Sequence, residues 1–97
     1  MWVSIDLCIV PIGVGVSLSP YIKSCLSVIK QSKLDYELGP NGTAIEGEWD
    51  NVFECVKKCH DTIHKQGVPR VYTTIKVNTR TDKKQFFKDK VKSIFAT

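Results

Sequence analysis

The sequence predicts an α+β fold, in which a four-stranded antiparallel sheet carries two helices on one face and a third helix follows. Three observations predict it. Four segments carry strand patterns, two amphipathic helical segments lie between them, and a lysine-rich helical segment comes last. A chain of 97 residues with 42% hydrophobic and 25% charged residues has an ordinary globular composition, so we expect one domain over residues 1–97.

The first strand and the first helix carry the clearest local signals. Residues 2–10 alternate between apolar and mostly polar side chains, as a strand with one apolar face does. After a glycine-rich loop, Ser19 as N-cap and Pro20 at the first helical position predict a helix that ends near Ser32. One face of this helix is apolar at helical spacing and carries Ile22, Cys25, Leu26 and Ile29.

Turn, capping and alternation signals predict the remaining elements. The predicted strands cover residues 35–39, 43–46 and 70–79. Asp50 is expected to cap a second helix that Gly67 closes, and Asp82 to cap the last helix. The inner stripe of the second helix is Val52, Val56, Cys59 and Ile63, and the apolar face of the last helix is Phe87, Val91 and Ile94.

The order of elements is therefore β-α-β-β-α-β-α. Its first six elements form the split βαβ arrangement of ferredoxin-like folds. In that arrangement both helices pack on one face of the sheet. We expect the first and third strands to be central and the second and last strands to lie at the edges.

Such a topology leaves the second face of the sheet without a cover. The residues expected on that face are Ser4, Asp6, Cys8, Ala44, Glu46, Tyr72, Thr74 and Lys76. Two such faces packed together would bury the apolar members and pair Asp6 or Glu46 with Lys76. We therefore predict a homo-oligomer built on a twofold dimer. The predicted interface residues are Ser4, Asp6, Cys8, Tyr72, Thr74 and Lys76. The alternative is a solvated face, which antiparallel sheets commonly have.

The segment from Asn41 to Asp50 is the most informative part of the chain for function. It places a hydroxyl and a carboxylate near a short strand, then breaks at a glycine and starts a helix. Together with the glycine-rich loop, it suggests a site for a small polar ligand. The candidate ligand-binding residues are Gly13, Ser17, Thr43, Glu46 and Trp49. The structural alternative is that the glycines make turns, Thr43 suits a strand and Trp49 packs against the second helix.

Other chemistry is not favoured by the sequence. His60 and His64 lie about a hundred degrees around the helix from the inward-facing Cys59, so the Cys-His cluster does not converge as zinc ligands must. No cysteine or serine has an activating base in a recognisable motif. A phosphatase of this fold would need an arginine in the first loop, where residues 13–17 contain none. We therefore expect no catalytic residue, no metal and no cofactor.

The sequence likewise does not favour nucleic-acid binding, a membrane-spanning segment or export. The net charge is only +4, and the strand at residues 42–46 lacks the aromatics with which RNA-recognition modules stack bases. The apolar run over residues 7–16 is too short to span a bilayer and is broken by Pro11 and two glycines. We expect a cytoplasmic protein whose four cysteines are reduced and packed as small hydrophobes.

Four stretches of the chain resemble the small thiamine-binding (YkoF-like) family. They are IVPIGVG at residues 9–15, YELGPNGTAIEGEWD at 36–50, VKKCH at 56–60, and GVPRVYTTIKV at 67–77 together with RTDKK at 80–84. The resemblance implies a ferredoxin-like fold, dimers that pair into tetramers, and binding of thiamine or its hydroxymethylpyrimidine part without catalysis. It also implies a pocket formed by the first loop and the strand from Thr43 to Glu46.

Two functional hypotheses follow. The first is a cytoplasmic homotetramer that binds thiamine or hydroxymethylpyrimidine to buffer, deliver or sense it. The second is a structural or regulatory homo-oligomer that binds another small metabolite or anion.

Overall fold

The computed structural model describes residues 1–95 and contains four strands and three helices. In chain order these are β1 (Trp2–Pro11), α1 (Ser19–Ser32), β2 (Asp35–Leu38), β3 (Thr43–Glu48), α2 (Trp49–Lys65), β4 (Val71–Thr79) and α3 (Phe87–Phe95). The predicted order of elements is confirmed, including the helix at the C-terminal end.

The four strands form one antiparallel sheet in the order β2-β3-β1-β4. The central position of β1 and β3 is therefore confirmed. The register pairs Ile5 with Ile45 across the β1–β3 ladder and Leu7 with Ile75 across the β1–β4 ladder. Because side chains alternate along a strand, these residues share the face on which α1 and α2 pack.

The hydrophobic core lies between that face and the two helices. Its members are Val3, Ile5, Leu7, Ile9, Cys25, Ile29, Ile45, Val52, Cys55, Val56, Cys59, Ile63 and Val68. The predicted inner stripe of α2 is confirmed and is joined by Cys55. Burying each of the larger aliphatic side chains contributes about 1.5–3 kcal/mol before entropy is counted, so this layer supplies most of the favourable free energy of folding.

All three predicted N-caps are wrong. Helix α1 begins at Ser19 with Leu18 in the cap position, and α2 begins at Trp49 with Glu48 in that position; neither cap side chain makes a hydrogen bond. The Trp49 N–H instead donates to the Met1 carbonyl at 2.8 Å, because α2 follows β3 directly beside the start of β1. Asp82 lies before α3 and forms a hydrogen-bonded ion pair with Arg80.

The second face of the sheet is only partly open, which corrects the expectation that nothing in the chain covers it. The start of α3 packs on one end of that face. The Phe86 ring meets the Trp2 ring edge-on with 5.4 Å between centroids, and the Lys84 ammonium lies 4.2 Å from the Trp2 ring centroid. The Phe87 side chain is buried beside them. Helix α3 therefore covers the Trp2 end and leaves the Cys8 end exposed.

Cys8 also departs from the prediction for the cysteines. Cys25, Cys55 and Cys59 are buried in the core, whereas Cys8 is exposed, and all four are free thiols. Its position in β1 places the Cys8 side chain on the open face of the sheet, opposite Thr74 of β4. Among the residues that the structure describes, no helix has both the length and the hydropathy to cross a bilayer.

Candidate functional site

A cavity of about 700 Å³ lies between α1, the second half of β1 and the turn that joins β2 to β3. Its volume falls within the usual range for sites that bind small molecules. The lining is Leu7, Cys8, Ile9, Val10, Val16, Leu18, Ser19, Ile22, Lys23, Cys25, Leu26, Ile29 and residues 38–43. Most of these side chains are apolar, and the polar ones lie in the turn and along the first turns of α1.

The turn between β2 and β3 forms one wall of the cavity. The Gly39 N–H donates to the Gly42 carbonyl at 2.8 Å, which closes the turn around Pro40 and Asn41. A Cβ on residue 42 would lie 2.8 Å from the Asp6 carboxylate oxygen and 3.2 Å from the Leu7 carbonyl. Any larger residue here would force the Asp6 side chain to move and the turn to shift slightly away from the backbone of β1, so the close approach of the turn favours glycine.

Thr43 supplies the best-placed polar group of the cavity. It is the first residue of β3, its side chain is buried on the helix-covered face, and it pairs with Leu7 and Leu38 on the flanking strands. Within the described part of the chain, its hydroxyl makes no hydrogen bond to another protein group. The hydroxyl can therefore donate to or accept from a ligand in the cavity.

The structure does not bring the five predicted ligand-binding residues together. Thr43 lines the cavity, whereas Glu46 lies three residues further along β3 and on the opposite face of the sheet. Trp49 follows the far end of β3, about 20 Å away along an extended strand, and it begins α2. The Trp49 ring packs on Phe53 with 4.5 Å between centroids. This contact matches the structural alternative for Trp49.

Gly13 and Ser17 border the cavity without lining it. Both lie in the loop between β1 and α1, which contributes Val16 and Leu18 to the wall. Gly13 has a φ of +83° and Gly15 a φ of +88°, in the left-handed region that favours glycine. These two glycines let the loop turn between β1 and α1.

Glu46 has a different environment from the one expected. Its side chain is only 3% exposed, and its carboxylate accepts a 2.8 Å hydrogen bond from the Phe87 N–H. Burial raises the pKa of this carboxyl, the Phe87 N–H opposes that shift, and Asp35 and Asp89 raise the pKa further. Glu46 thus caps the first residue of α3 from another element of the fold.

Several lining residues were missed by the sequence analysis. Lys23, Leu38 and Asn41 line the cavity but were not among the predicted ligand-binding residues. Leu38 lies on the helix-facing side of β2 and yet is 53% exposed at the cavity rim, which only the structure shows. The sequence near the β2–β3 turn does not reveal that the turn lies close to α1, because this proximity depends on how α1 crosses the sheet.

The histidines of α2 are engaged with the sheet and the following loop. His60 Nε2 lies 2.6 Å from the Thr73 hydroxyl, and the His64 Nδ1–H donates to the Val68 carbonyl at 2.8 Å. His60 is half-buried, although it lies on a different side of α2 from the inward-facing Cys59. Across residues 1–95, no three His, Cys, Asp or Glu side chains are arranged to hold a metal ion.

Comparison with known proteins assigns this chain to a family. The model of the family described as thiamine-binding protein matches residues 5–95. A UPF0045 protein of Synechocystis is 45% identical over 94 residues, which cover 97% of this chain and 78% of the relative. A UPF0045 protein of Methanothermobacter thermautotrophicus is 34% identical over 94 residues, with 95% of each chain covered.

Solved structures agree with this assignment. A hypothetical protein of Methanocaldococcus jannaschii has a TM-score of 0.90 at 32% identity, covering 99% of this chain and 98% of that one. A Thermotoga maritima protein has the same fold, with a TM-score of 0.82 at 21% identity over 97% of this chain and 99% of that one. On the family match and these identities, the chain belongs to the thiamine-binding protein family.

Proposed function

We propose that this protein binds the hydroxymethylpyrimidine part of thiamine, or thiamine through that part, in the cavity beside Thr43. The observation that carries the proposal is a cavity of about 700 Å³ with an apolar wall and a free hydroxyl at Thr43, in a member of this family. The Thermotoga maritima protein of the same fold is described as a candidate thiamine biosynthesis/salvage protein, which supports a ligand of this class.

The chemistry of the lining favours the pyrimidine over the thiazolium. Apolar side chains such as Ile22 and Leu26 can pack on the faces of a flat ring. The ring nitrogens, the amine and the hydroxymethyl group can then pair with Thr43, Asn41 or the backbone of the turn. Among the described residues of the lining, Lys23 is the one charged side chain, and no carboxylate or aromatic ring is present. A cationic thiazolium therefore gains no charge partner or aromatic face inside the cavity.

The site supports binding without turnover. Among the described residues, the cavity lining includes hydroxyls, an amide, the Cys25 thiol and an ammonium, but no carboxylate or imidazole that could act as a general base. We infer a role in buffering, delivering or sensing the ligand. The four free cysteines suit a reducing compartment, so we place the protein in the cytoplasm.

We also propose that the protein self-associates through the open part of the sheet. Of the predicted interface residues, Ser4 is half-buried near α3, and the exposed ones are Asp6, Cys8, Tyr72, Thr74 and Lys76. Asp6 stands opposite Lys76 in the β1–β4 register. In a twofold dimer the Asp6–Lys76 pair of one subunit would face the same pair of the other subunit. Opposite charges could then meet across an isologous interface. Pairing of such dimers would give a tetramer.

Helix α3 adds apolar surface beside this face. Phe87 anchors the helix to the sheet, whereas Val91 and Phe95 further along it are exposed. Their four-residue spacing places them along one side of the helix. A second copy could cover this stripe together with the open face, and the area buried would grow accordingly.

Calorimetric titration with hydroxymethylpyrimidine and, separately, with thiamine tests the ligand. We expect micromolar binding of the pyrimidine, worth about 8 kcal/mol, and no tighter binding of thiamine. Markedly tighter binding of thiamine would mean that the protein also contacts the thiazolium. That result would contradict the assignment to the pyrimidine part alone. If a folded oligomer bound neither compound, the result would favour a structural or regulatory oligomer with another small ligand.

A further inference from the structure

Three buried thiols lie together behind the cavity, and one of them reaches its wall. Cys25 of α1 lines the cavity, although its side chain is only 5% exposed. Cys55 and Cys59 of α2 are almost completely buried and lie outside the lining. A small reagent that enters the cavity can therefore reach the Cys25 thiol before the other two.

Cys59 lies directly against Cys25 across the α1–α2 contact. The Cys59 thiol donates a 3.8 Å hydrogen bond to the Cys25 carbonyl oxygen, and it lies close enough to the thiols of Cys25 and Cys55 to shift their pKa values. Cys55 and Cys59 are on the same helix, four residues apart, whereas Cys25 and Cys59 come from helices that face each other. Cβ atoms four residues apart on one helix are about 5–6 Å apart, beyond the roughly 3.5–4.5 Å that a disulfide requires. The cross-helix pair has no such constraint, so it is the pair that we expect to form the disulfide.

The contact also shifts the pKa values of the Cys25 and Cys59 thiols in opposite directions. The hydrogen bond from Cys59 lowers the pKa of Cys25, although burial opposes that shift. The same bonds, with burial, raise the pKa of Cys59. Because the thiolate is the nucleophile in thiol–disulfide exchange, Cys25 is a better first attacker than Cys59. The pKa of Cys55 is also lowered, to about 7, but Cys55 lies outside the cavity lining, so access favours Cys25.

We propose that Cys25 is a modification site for low-molecular-weight disulfides that enter the cavity, and that Cys59 resolves the adduct into a Cys25–Cys59 disulfide. The Cys25 thiolate attacks one sulfur of the reagent and releases the other half as a thiolate. The Cys59 sulfur then attacks the Cys25 sulfur and expels the second half, while its proton passes to the departing thiolate. The protein loses two electrons and two protons, and the reagent gains both as two thiols.

This inference is independent of the natural ligand of the cavity. The intermediate would place a substituent on the cavity wall, and the final disulfide would join α1 covalently to α2. Both products would change the shape of the cavity at Cys25. Oxidation of these thiols would therefore change which ligands fit into the cavity.

The test uses the full chain with Cys8→Ser, because the exposed Cys8 thiol would otherwise react first. The protein is treated with 2-hydroxyethyl disulfide under native conditions, and the products are identified by peptide mapping with mass spectrometry. We expect a Cys25–Cys59 disulfide with Cys55 left as a free thiol. Adding Cys59→Ser should stop the reaction at a mixed disulfide on Cys25, whereas adding Cys55→Ser should leave the Cys25–Cys59 product unchanged.

Three outcomes would overturn the proposal. Cys25 could stay unmodified until denaturant is added, the product could be a Cys55–Cys59 disulfide, or the Cys25 adduct could persist although Cys59 is present. The Cys8→Ser protein alone distinguishes these outcomes, so the result does not depend on whether the double variants fold.

Discussion

The Glu46 carboxylate accepts a 2.8 Å hydrogen bond from the backbone N–H of Phe87, so the central strand β3 holds the first residue of α3. The preceding N–H, that of Phe86, points to the Asp89 carboxylate at 3.4 Å. Two carboxylates thus face the positive end of the helix. This contact fixes which end of the sheet α3 covers and which end remains open.

Removing the Glu46 acceptor should loosen α3. Glu46→Ala leaves the buried Phe87 N–H without a partner, and we expect a loss of about 1–3 kcal/mol in the free energy of unfolding. Glu46→Gln keeps an acceptor oxygen and should cost much less. Urea denaturation measures the stability, and hydrogen exchange at the Phe87 amide reports on the helix. Equal losses in the two variants would show that the hydrogen bond does not hold α3.

Glu46 should also give stability a distinctive pH dependence. Its folded-state pKa is raised above the ordinary value of 4.5, chiefly by burial. The folded state therefore binds this proton more tightly than the unfolded state, and stability falls as pH rises from the ordinary value through the raised one. The unfolding free energy of wild type minus that of Glu46→Gln should decrease with pH across this window. A difference that rises or stays flat would contradict the assignment.

Thr43 should contribute to ligand affinity through its hydroxyl. Thr43→Val removes that group with little change in shape, and we expect the affinity for hydroxymethylpyrimidine to fall by about 1 kcal/mol, roughly fivefold. Thr43→Ser keeps the hydroxyl and should bind nearly as wild type does. Glu46→Gln is the matched control, since residue 46 lies on the opposite face of the sheet. If Glu46→Gln weakens binding and Thr43→Val does not, the site lies elsewhere.

A methyl group at residue 42 should displace the turn that walls the cavity. In Gly42→Ala the new Cβ would lie 2.8 Å from the Asp6 carboxylate oxygen and 3.2 Å from the Leu7 carbonyl. We expect a loss of about 1–3 kcal/mol in stability, as for other overpacked sites, together with weaker ligand binding. Calorimetry and urea denaturation measure the two effects. Asp6→Ala with Gly42→Ala relieves only the side-chain conflict and should recover part of the loss; wild-type behaviour of Gly42→Ala would show that the turn is not held against β1.

A charge on the open face should oppose self-association. The Tyr72 side chain is 63% exposed on that face, and Tyr72→Glu would bury a carboxylate against its own copy in a twofold dimer. Light scattering at micromolar concentration should report a smaller assembly for Tyr72→Glu than for wild type. Lys57→Glu, on the exposed side of α2, should leave the assembly unchanged. Equal masses for wild type and Tyr72→Glu would argue against an interface at this face.

The sequence by itself determined the elements and their order. The alternation of β1 and β4 and the apolar stripe of α2 are set by short-range periodicity, since a buried face demands apolar side chains at a fixed spacing. The strand order then followed from the known arrangement of this pattern of elements. The family resemblance around residues 36–50 also predicted a ligand site at Thr43. Thr43 lines the cavity, and ligand binding there stays a prediction.

Only the tertiary structure decided which of these residues meet. Thr43 and Glu46 are close in sequence, but an odd number of strand positions separates them, so their side chains project to opposite faces. The starts of the helices depended on distant partners such as Met1 for α2 and Glu46 for α3, which no local capping pattern contains. The cavity likewise depends on how α1 crosses the sheet beside the turn between β2 and β3. Tertiary packing sets such contacts. The sequence pattern shows only which face of each helix or strand is buried.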